Sequence, residues 1–500
     1  MTASGKIDRK NLPVPDFTEN RNEYVAPEAE TEIKLCKLLE KLFGLEKVGV
    51  TDDFFELGGD SLKAIEYTAK AHNAGIEIAL QQVFDYPTVR ELSQLLENGA
   101  EQRILYTKAD FEKYDELLTR NVLDDNFVPM KKSLGNVLLT GATGFLGAHI
   151  LDAFMHEEIG MVYCLVRGGA AKLKEVLKYY FGDKYDDDFG KRIIPIVGDI
   201  ENENLSDNVP VDVQTVIHTA ATVKHYGSYQ YFHTVNVQGT LNVIHYAKKV
   251  NAKLIHISTL SVSGNGFADD FSISFSKEEK HFDECCLFVE QELENVYVRS
   301  KFEAEKAVLD AVFDGLDAKI IRVGNLTNRA SDFKFQPNYR QNAFLTRVKA
   351  GLEFGKLPEY IVPLYAEFSP IDETAEGVIR IAQYADNQTI FHLNSNKPIY
   401  FDRLIEVLNG LGISVDIISA EQFLAELEAY AKKSETQYIY EAFQNDLDES
   451  GKLVYDSNIR IINDFTVDFL KKVGFEWSQT DFDYIKGYVN YFRKLSYLEV

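Results

Sequence analysis

Apolar positions along the chain follow two rhythms. In the first hundred residues they recur every three to four positions. Leu35, Leu38, Leu39 and Leu42 share one face of a helix predicted over Pro27 to Phe43, with Pro27 suited to its first turn and Gly44 to its end. A second helix is predicted from Ser61, with Leu62, Ile65 and Ala69 facing inward. Asn98-Gly99-Ala100 marks a boundary. Phe111, Tyr114 and Leu118 then recur at helical spacing within Ile104 to Val122, either as a segment that folds and packs or as a solvated helical spacer. From Leu134 the rhythm becomes strand, helix, strand. Short apolar runs at Val137–Leu139, Met161–Val166, Ile193–Ile200, Val216–Thr222 and Leu254–Val262 read as five buried strands, and Phe145 to Ile159 as a helix after the first. After Ile321-Arg-Val-Gly-Asn325 the alternation weakens. Beyond Tyr400 the pattern is mostly helical, as at Leu404 and Leu408 or Phe423, Leu424 and Leu427. The tyrosines and Phe492 near the C-terminus also recur at helical spacing, the mark of a core.

A chain of 500 residues implies two or three domains, and 45% hydrophobic with 12% aromatic residues is enough for more than one core. The formal net charge of −25 argues against a nucleic-acid partner or an anionic membrane surface, while leaving room for a local basic pocket. No apolar run approaches the length of a membrane span, and the first ten residues lack the apolar centre of a signal peptide. The four cysteines, Cys36, Cys164, Cys285 and Cys286, have neither zinc spacing nor the density of a disulfide scaffold. They are expected as free thiols in a reducing cytoplasm, with Asp283 to Cys286 a loop and no metal site.

Chemistry enters at Val137-Leu-Leu-Thr-Gly-Ala-Thr-Gly-Phe-Leu-Gly147. A strand, a glycine turn and a helix start let the backbone approach a pyrophosphate, and the helix amides suit its charge. Thr140, Gly141, Thr143, Gly144, Phe145, Leu146 and Gly147 are the expected dinucleotide cradle. The residue ending the second strand reads the adenosine ribose in this fold. Here it is Arg167, a guanidinium suited to a 2′-phosphate, which favours NADPH over NADH; the plain alternative is a solvated strand-end arginine. Asp199 and Ile200 close the third run, with Asp199 placed near the adenine. Thr219, Ala220 and Ala221 lie in the fourth, small where the cofactor must pass. Downstream stands Tyr297-Val-Arg-Ser-Lys301, a tyrosine and a lysine one helical turn apart.

Two resemblances organise these pieces. Phe54-Phe-Glu-Leu-Gly-Gly-Asp-Ser-Leu62 closely resembles the modification site of the carrier proteins of nonribosomal peptide synthetases. The likeness runs from about Tyr24 to Asn98 and ends in Asp85-Tyr-Pro-Thr-Val-Arg-Glu-Leu92, which opens the last carrier helix. It implies a small four-helix bundle whose Ser61 carries a 4′-phosphopantetheine arm installed by a phosphopantetheinyl transferase. By position alone Ser61 also reads as a helix N-cap. Ser4 to Pro13 looks like the closing motif of an adenylation domain, with Lys6 at that domain's catalytic lysine. Residues 1–20 are therefore expected as the tail of such a domain and upstream synthetase domains as partners.

From about Ser133 to Ala382 the chain resembles the extended short-chain dehydrogenase/reductase superfamily, most closely the terminal thioester reductases of peptide synthetases and carboxylic acid reductases. That resemblance implies a Rossmann-type doubly wound parallel sheet with a smaller, mostly helical substrate subdomain. It also implies a catalytic set of Thr259, Tyr297 and Lys301. Tyr297 donates a proton to the carbonyl oxygen, Lys301 eases the phenolate and holds the nicotinamide ribose, and Thr259 donates a second hydrogen bond. Lys224 and Asn236 are weaker candidates outside that set. Thr259 and Tyr297 are 38 positions apart. The intervening stretch either covers the substrate, meets the carrier, or is a solvated excursion.

The expected organisation is 1–20 adenylation tail, 21–98 carrier, 99–132 partly helical linker and 133–500 reductase, with the substrate subdomain mainly in 330–365 and 400–500. The expected reaction is reduction of a carrier-bound acyl or peptidyl thioester to an aldehyde. Two alternatives stay open: a further reduction to the alcohol, and a redox-silent domain used in docking or cyclising release.

Overall fold

The computed structural model describes residues 24–76, 78, 80–98, 106–115, 117–118, 129–203, 205, 209–224, 227–264, 280–291, 293, 295–384, 388–431, 437–444 and 459–498. The expected adenylation tail and much of the stretch between Thr259 and Tyr297 lie outside them. The chain divides into two compact units. One comprises Met1–Tyr106, Val223–His233 and Glu294–Tyr297; the other comprises Thr107–Thr222, Thr234–Leu293 and Val298–Val500.

The first unit holds four helices, α1 (Glu30–Phe43), α2 (Ser61–Asn73), α3 (Leu80–Asp85) and α4 (Val89–Asn98). α1 begins three residues after Pro27. Glu32 reaches back so that its Oε2 accepts from the amides of Glu28 (2.9 Å) and Ala29 (3.2 Å), satisfying two groups the helix start leaves open. The helix ends at Gly44, at φ 66°, a left-handed cap that suits glycine. Leu35 and Leu39 of α1 pack with Phe54, Tyr67, Val83 and Leu92, all buried. The Phe54 and Tyr67 rings stack at 5.7 Å.

The second unit is built on a seven-stranded parallel sheet. Its strands are β1 (Val137–Thr140), β2 (Val162–Val166), β3 (Ile193–Val197), β4 (Thr215–His218), β5 (Lys253–Thr259), β6 (Ala318–Val323) and β7 (Ile390–Leu393), in the order β7-β6-β5-β4-β1-β2-β3. β1, β2, β4, β6 and β7 are buried throughout, which is why β1 and β2 read as near-continuous apolar runs, whereas β4, β6 and β7 carry buried His218, Lys319, Arg322 and His392 among their apolar residues. The reversal of strand order at β1 opens a crevice at the carboxyl ends of β1 and β4, where such sheets bind ligands. Helices α5 (Phe145–Glu157), α6 (Gly169–Phe181), α7 (Gly239–Val250), α9 (Ile371–Tyr384) and α10 (Asp464–Lys472) belong to the same body, as does α8 (Val296–Phe313) from Val298 on.

Two features refine the sequence reading. The edge strand β7 lies beyond Ala382, where the superfamily likeness ended. The stretch around α10, assigned by pattern to the smaller subdomain, joins the sheet core instead: Phe469, Leu470, Phe475 and Trp477 pack with Ile321, Phe391 and Leu393. Thr466 Oγ1 also accepts from the His392 amide at 2.9 Å. The remainder of the C-terminal region has two apolar cores of its own. One joins Phe335, Phe368, Leu408, Ile485 and Phe492, and the other Ala350, Phe354, Phe423, Leu427 and Phe443.

Between the carrier and β1, two short 3-10 turns at Lys108–Asp110 and Glu112–Tyr114 carry the apolar residues whose role the sequence left open. Phe111, Tyr114 and Leu118 are buried. Phe111 packs its ring 4.9 Å from Phe288 and 5.5 Å from Phe302, and Tyr114 donates its hydroxyl to Asp310 at 2.7 Å. This stretch packs on the second unit and is no solvated spacer. Among the described residues no helix is long and apolar enough to cross a membrane, and no cluster of ligands suits a metal ion. All four cysteines are free thiols.

Candidate active site

Ser61 is the first residue of α2, and the residue before it caps the helix. The Asp60 side chain accepts from the Lys63 amide at 2.9 Å. The reading of Ser61 as N-cap is thereby corrected, since an adjacent residue of equal capping power has taken that task. Ser61 stands in the helix's first turn, in a segment that begins with the turn Asp53–Gly58. There the Asp53 carboxylate accepts from the amides of Phe55 (2.7 Å) and Glu56 (3.2 Å).

In the second unit the loop after β1 is shaped by two glycines. Gly141 has φ 74°, and a Cβ there would sit 2.3 Å from Thr219 Oγ1. A Cβ on Gly147 would sit 2.1 Å from the Gly141 carbonyl oxygen, so the first turn of α5 closes against the loop only because that position is bare. Gly144 is the N-cap of α5 and has no side chain to cover the helix's leading amides. Backbone N–H groups at a dipole's positive end, with no Cβ in the way, fit a pyrophosphate. Thr140, Thr143, Phe145 and Leu146 belong to the same strand-turn-helix. Thr140 Oγ1 accepts from the Ala220 amide at 3.2 Å, and Thr219 Oγ1 donates to the Thr140 carbonyl at 2.8 Å. The segments after β1 and β4 are thus tied into one cradle.

Arg167 follows β2, exposed, with its guanidinium 3.8 Å from the Asp199 carboxylate, which follows β3. An exposed pair at that distance is worth little to stability, so the guanidinium is available to a phosphate. Ile200 is buried and stacks under Gly239: a Cβ on that glycine would meet its Cδ1 at 2.7 Å. Ala221 follows Ala220 on the strand-end segment of β4.

Thr259 ends β5 and is buried. Its Oγ1 accepts from the Ser261 amide and donates to the Ser261 hydroxyl, both at 3.1 Å. Tyr297 lies in the first turn of α8, half-buried, its amide donating to Asn295 Oδ1 at 3.0 Å. Lys301, one turn on, is buried and donates to the Ile257 carbonyl of β5 at 2.8 Å. Burial disfavours its charge and brings its pKa down to about 8, against a smaller opposing pull from Glu305. The structure therefore brings Lys301 to the strand that ends in Thr259, and sets Tyr297 and Lys301 on one helix, four residues apart.

Of the weaker candidates, Lys224 is exposed. Asn236 is buried in a π-helical stretch, His233–Gln238, where its side chain accepts from the Thr222 amide (2.8 Å) and donates to Ser300 Oγ (2.9 Å). It holds the segment after β4 against the residue preceding Lys301. Sequence reasoning assigned no chemistry to His218 and His256, buried on β4 and β5. His256 Nε2 lies 3.4 Å from Lys301 Nζ. The signal was two histidines inside apolar runs, at positions where a buried strand has no use for polarity.

Residues 139–378 match the family model described as Male sterility protein, and residues 34–96 match the one described as Phosphopantetheine attachment site. The structure is similar to a thiolation-reductase di-domain from an archaeal non-ribosomal peptide synthetase. Identity is 35% and the TM-score 0.79, over 96% of this chain and 100% of that one. It is also similar to the reductase domain of the aureusimine biosynthetic cluster, at 26% identity and TM-score 0.65, over 79% of this chain and 100% of that one. A linear gramicidin synthase from Brevibacillus parabrevis is 26% identical across 100% of this chain, which spans 10% of that relative's length.

Proposed function

Because the chain belongs to the thiolation-reductase didomains of nonribosomal peptide synthetases, we propose that it releases a carrier-bound acyl or peptidyl thioester as an aldehyde, using NADPH. The carrier half takes a 4′-phosphopantetheine arm and the reductase half a nicotinamide cofactor. In this reading Ser61 bears the arm, loaded by a phosphopantetheinyl transferase and charged by upstream synthetase domains. The cofactor is held by the glycine cradle of Thr140 to Gly147, by Thr219 to Ala221, by Asp199 and Ile200, and by Arg167 at its 2′-phosphate.

Bound NADPH supplies the hydride such a reduction requires. The chain's own residues handle the oxygen. Charge gathers on the thioester carbonyl oxygen as its carbon is reduced, and Tyr297 protonates that oxygen. The Lys301 ammonium lowers the cost of the phenolate left behind. Thr259, once its hydroxyl turns from Ser261, donates a second hydrogen bond to the same oxygen. The resulting hemithioacetal collapses to the aldehyde and the carrier thiol.

The observation that carries this reading is the placement of Lys301, a buried ammonium bonded to the strand that ends in Thr259, one helical turn from Tyr297. The test loads Ser61 with a model acyl-phosphopantetheine, adds NADPH and follows nicotinamide absorbance while trapping products. One NADPH consumed per aldehyde is expected. Two consumed per alcohol would make the enzyme a four-electron reductase. No oxidation with several acyl groups, despite NADPH binding, would leave the redox-silent reading.

A further inference from the structure

His218 and His256 stand on neighbouring strands with their rings 5.3 Å apart, and both are buried. The proton positions around His218 follow from its partners. Thr240 Oγ1 donates to the Asn236 carbonyl at 2.6 Å, so it can only accept from His218 Nε2, 3.1 Å away. His218 Nε2 therefore carries the ring's proton, and Nδ1 accepts from Thr140 Oγ1 at 2.7 Å. The ring is neutral and locked at both ends. Burial agrees, holding its pKa down to about 3.

His256 has a different arrangement. Its Nε2 faces Lys301 Nζ at 3.4 Å, and an ammonium has nothing to accept with, so Nε2 is the acceptor and the proton sits on Nδ1. That Nδ1 has no partner among the described residues, and neither does Ser258 Oγ two residues on, on the same strand face. A buried N–H left unpaired is costly, and an apolar side chain here would avoid the cost. The fold keeps the imidazole, and its one paired nitrogen is the one turned to Lys301.

We propose that His256 is a positioning residue for Lys301: its neutral ring and the Ile257 carbonyl hold two of the three Nζ donors, leaving one for the reacting groups. The proposal rests on the reading of Lys301 as a member of the catalytic set. The titratable groups that bear on Lys301 are His256 on β5, His218 behind it on β4, and Glu305 on its own helix. The Glu305 carboxylate is engaged by Arg322 of β6 at 2.7 Å. With His218 locked neutral and Glu305 paired, His256 is the neighbour whose replacement changes how the ammonium is held.

His256→Leu, His256→Gln and Lys301→Ala in the full chain, with the arm loaded, test this. In His256→Leu nothing replaces the lost acceptor. Its kcat is expected to fall about tenfold, and the alkaline limb of kcat to move about one pH unit lower. His256→Gln, whose amide oxygen reaches the place of Nε2, restores both, and the Kd for NADPH stays within about twofold in each. Wild-type kcat and an unmoved limb in a folded His256→Leu overturn the proposal. Should that variant not fold, His256→Asn takes its place; it stays polar but is too short to reach Nζ, and an unmoved limb there is equally fatal. Lys301→Ala separates the two claims. Retained activity sinks the catalytic reading, whereas lost activity beside an unaffected His256→Leu sinks the positioning role alone.

Discussion

Gly147→Ala is the sharpest perturbation of the cofactor cradle. The added methyl would lie 2.1 Å from the Gly141 carbonyl oxygen, 2.7 Å from its carbon and 3.1 Å from Ala142 Cα. All three are backbone atoms, so no side chain can swing away. Ordinary carbon–oxygen contact is about 3.3 Å, so the loop and α5 must part by about 1 Å. Overpacking of a close-packed site costs about 1–3 kcal/mol, and an obstruction made of backbone belongs at the upper end. A loop that must return to its original path to hold a pyrophosphate bears that cost on binding, so about 3 kcal/mol becomes about a hundredfold rise in the Kd for NADPH. Titration of nicotinamide fluorescence measures it, with calorimetric unfolding of the free protein showing how much of the cost the fold has absorbed. Gly351→Ala is the control. It sits within the helix Ala343–Phe354, its methyl would meet Phe443 at an ordinary 3.6 Å, and the change should be neutral or stabilising by up to about 1 kcal/mol. A Kd within threefold of wild type, with unchanged unfolding, would refute the placement of the cofactor on this loop.

Tyr297→Phe should lower kcat by about two orders of magnitude with NADPH affinity nearly intact, and unchanged turnover removes Tyr297 from the chemistry. Lys301 must be an ammonium to ease the phenolate. Because burial holds its pKa at about 8, kcat should be full below that pH and fall as pH rises through it; a profile flat to about pH 10 contradicts the assignment. Arg167→Ala should weaken NADPH about tenfold or more and leave NADH nearly unaffected, and equal losses sink the phosphate role. In Ser61→Ala, intact-protein mass spectrometry after incubation with coenzyme A and a phosphopantetheinyl transferase should show no added arm.

The sheet was legible in the chain because parallel strands covered on both faces become short apolar runs, as at Val137 to Thr140 and Val162 to Val166. The tight turn after β1 was legible because backbone can approach backbone only where Cβ is missing, and Gly141 and Gly147 mark those points. The strand β7 was not, because Ile390-Phe-His-Leu393 is four residues long with a histidine inside, and nothing local says that His392 Nδ1 meets the Ile462 carbonyl at 2.7 Å. Helical spacing beyond residue 400 revealed helices without saying which core each joins. Phe469 and Phe492 carry the same local signal, yet one packs on the sheet and the other in a separate cluster.

The site divides along the same line. Placements set by chain-local geometry could be read, such as a tyrosine and a lysine one turn apart on α8, or a serine opening a helix after two glycines. Surroundings set by what arrives from elsewhere could not. Whether Lys301 is an ordinary exposed amine or a buried one depends on the carbonyl of Ile257 and the ring of His256, 44 and 45 residues earlier in the chain. The helix that presents it is fixed by a third contact. Arg322 of β6, wholly buried, gives Nε and both terminal nitrogens to Glu305, the Cys286 carbonyl and His392, and stacks its guanidinium 4.5 Å from the centre of the Phe282 ring. A buried pair of this kind gains little net stability over apolar packing, and removing one partner strands the other's charge at about 3–5 kcal/mol. Its consequence for the chemistry is geometric: Glu305, one turn after Lys301, cannot shift without stranding that charge. The lysine is thus held from both sides, by a neutral acceptor on β5 and by an anchored helix on β6.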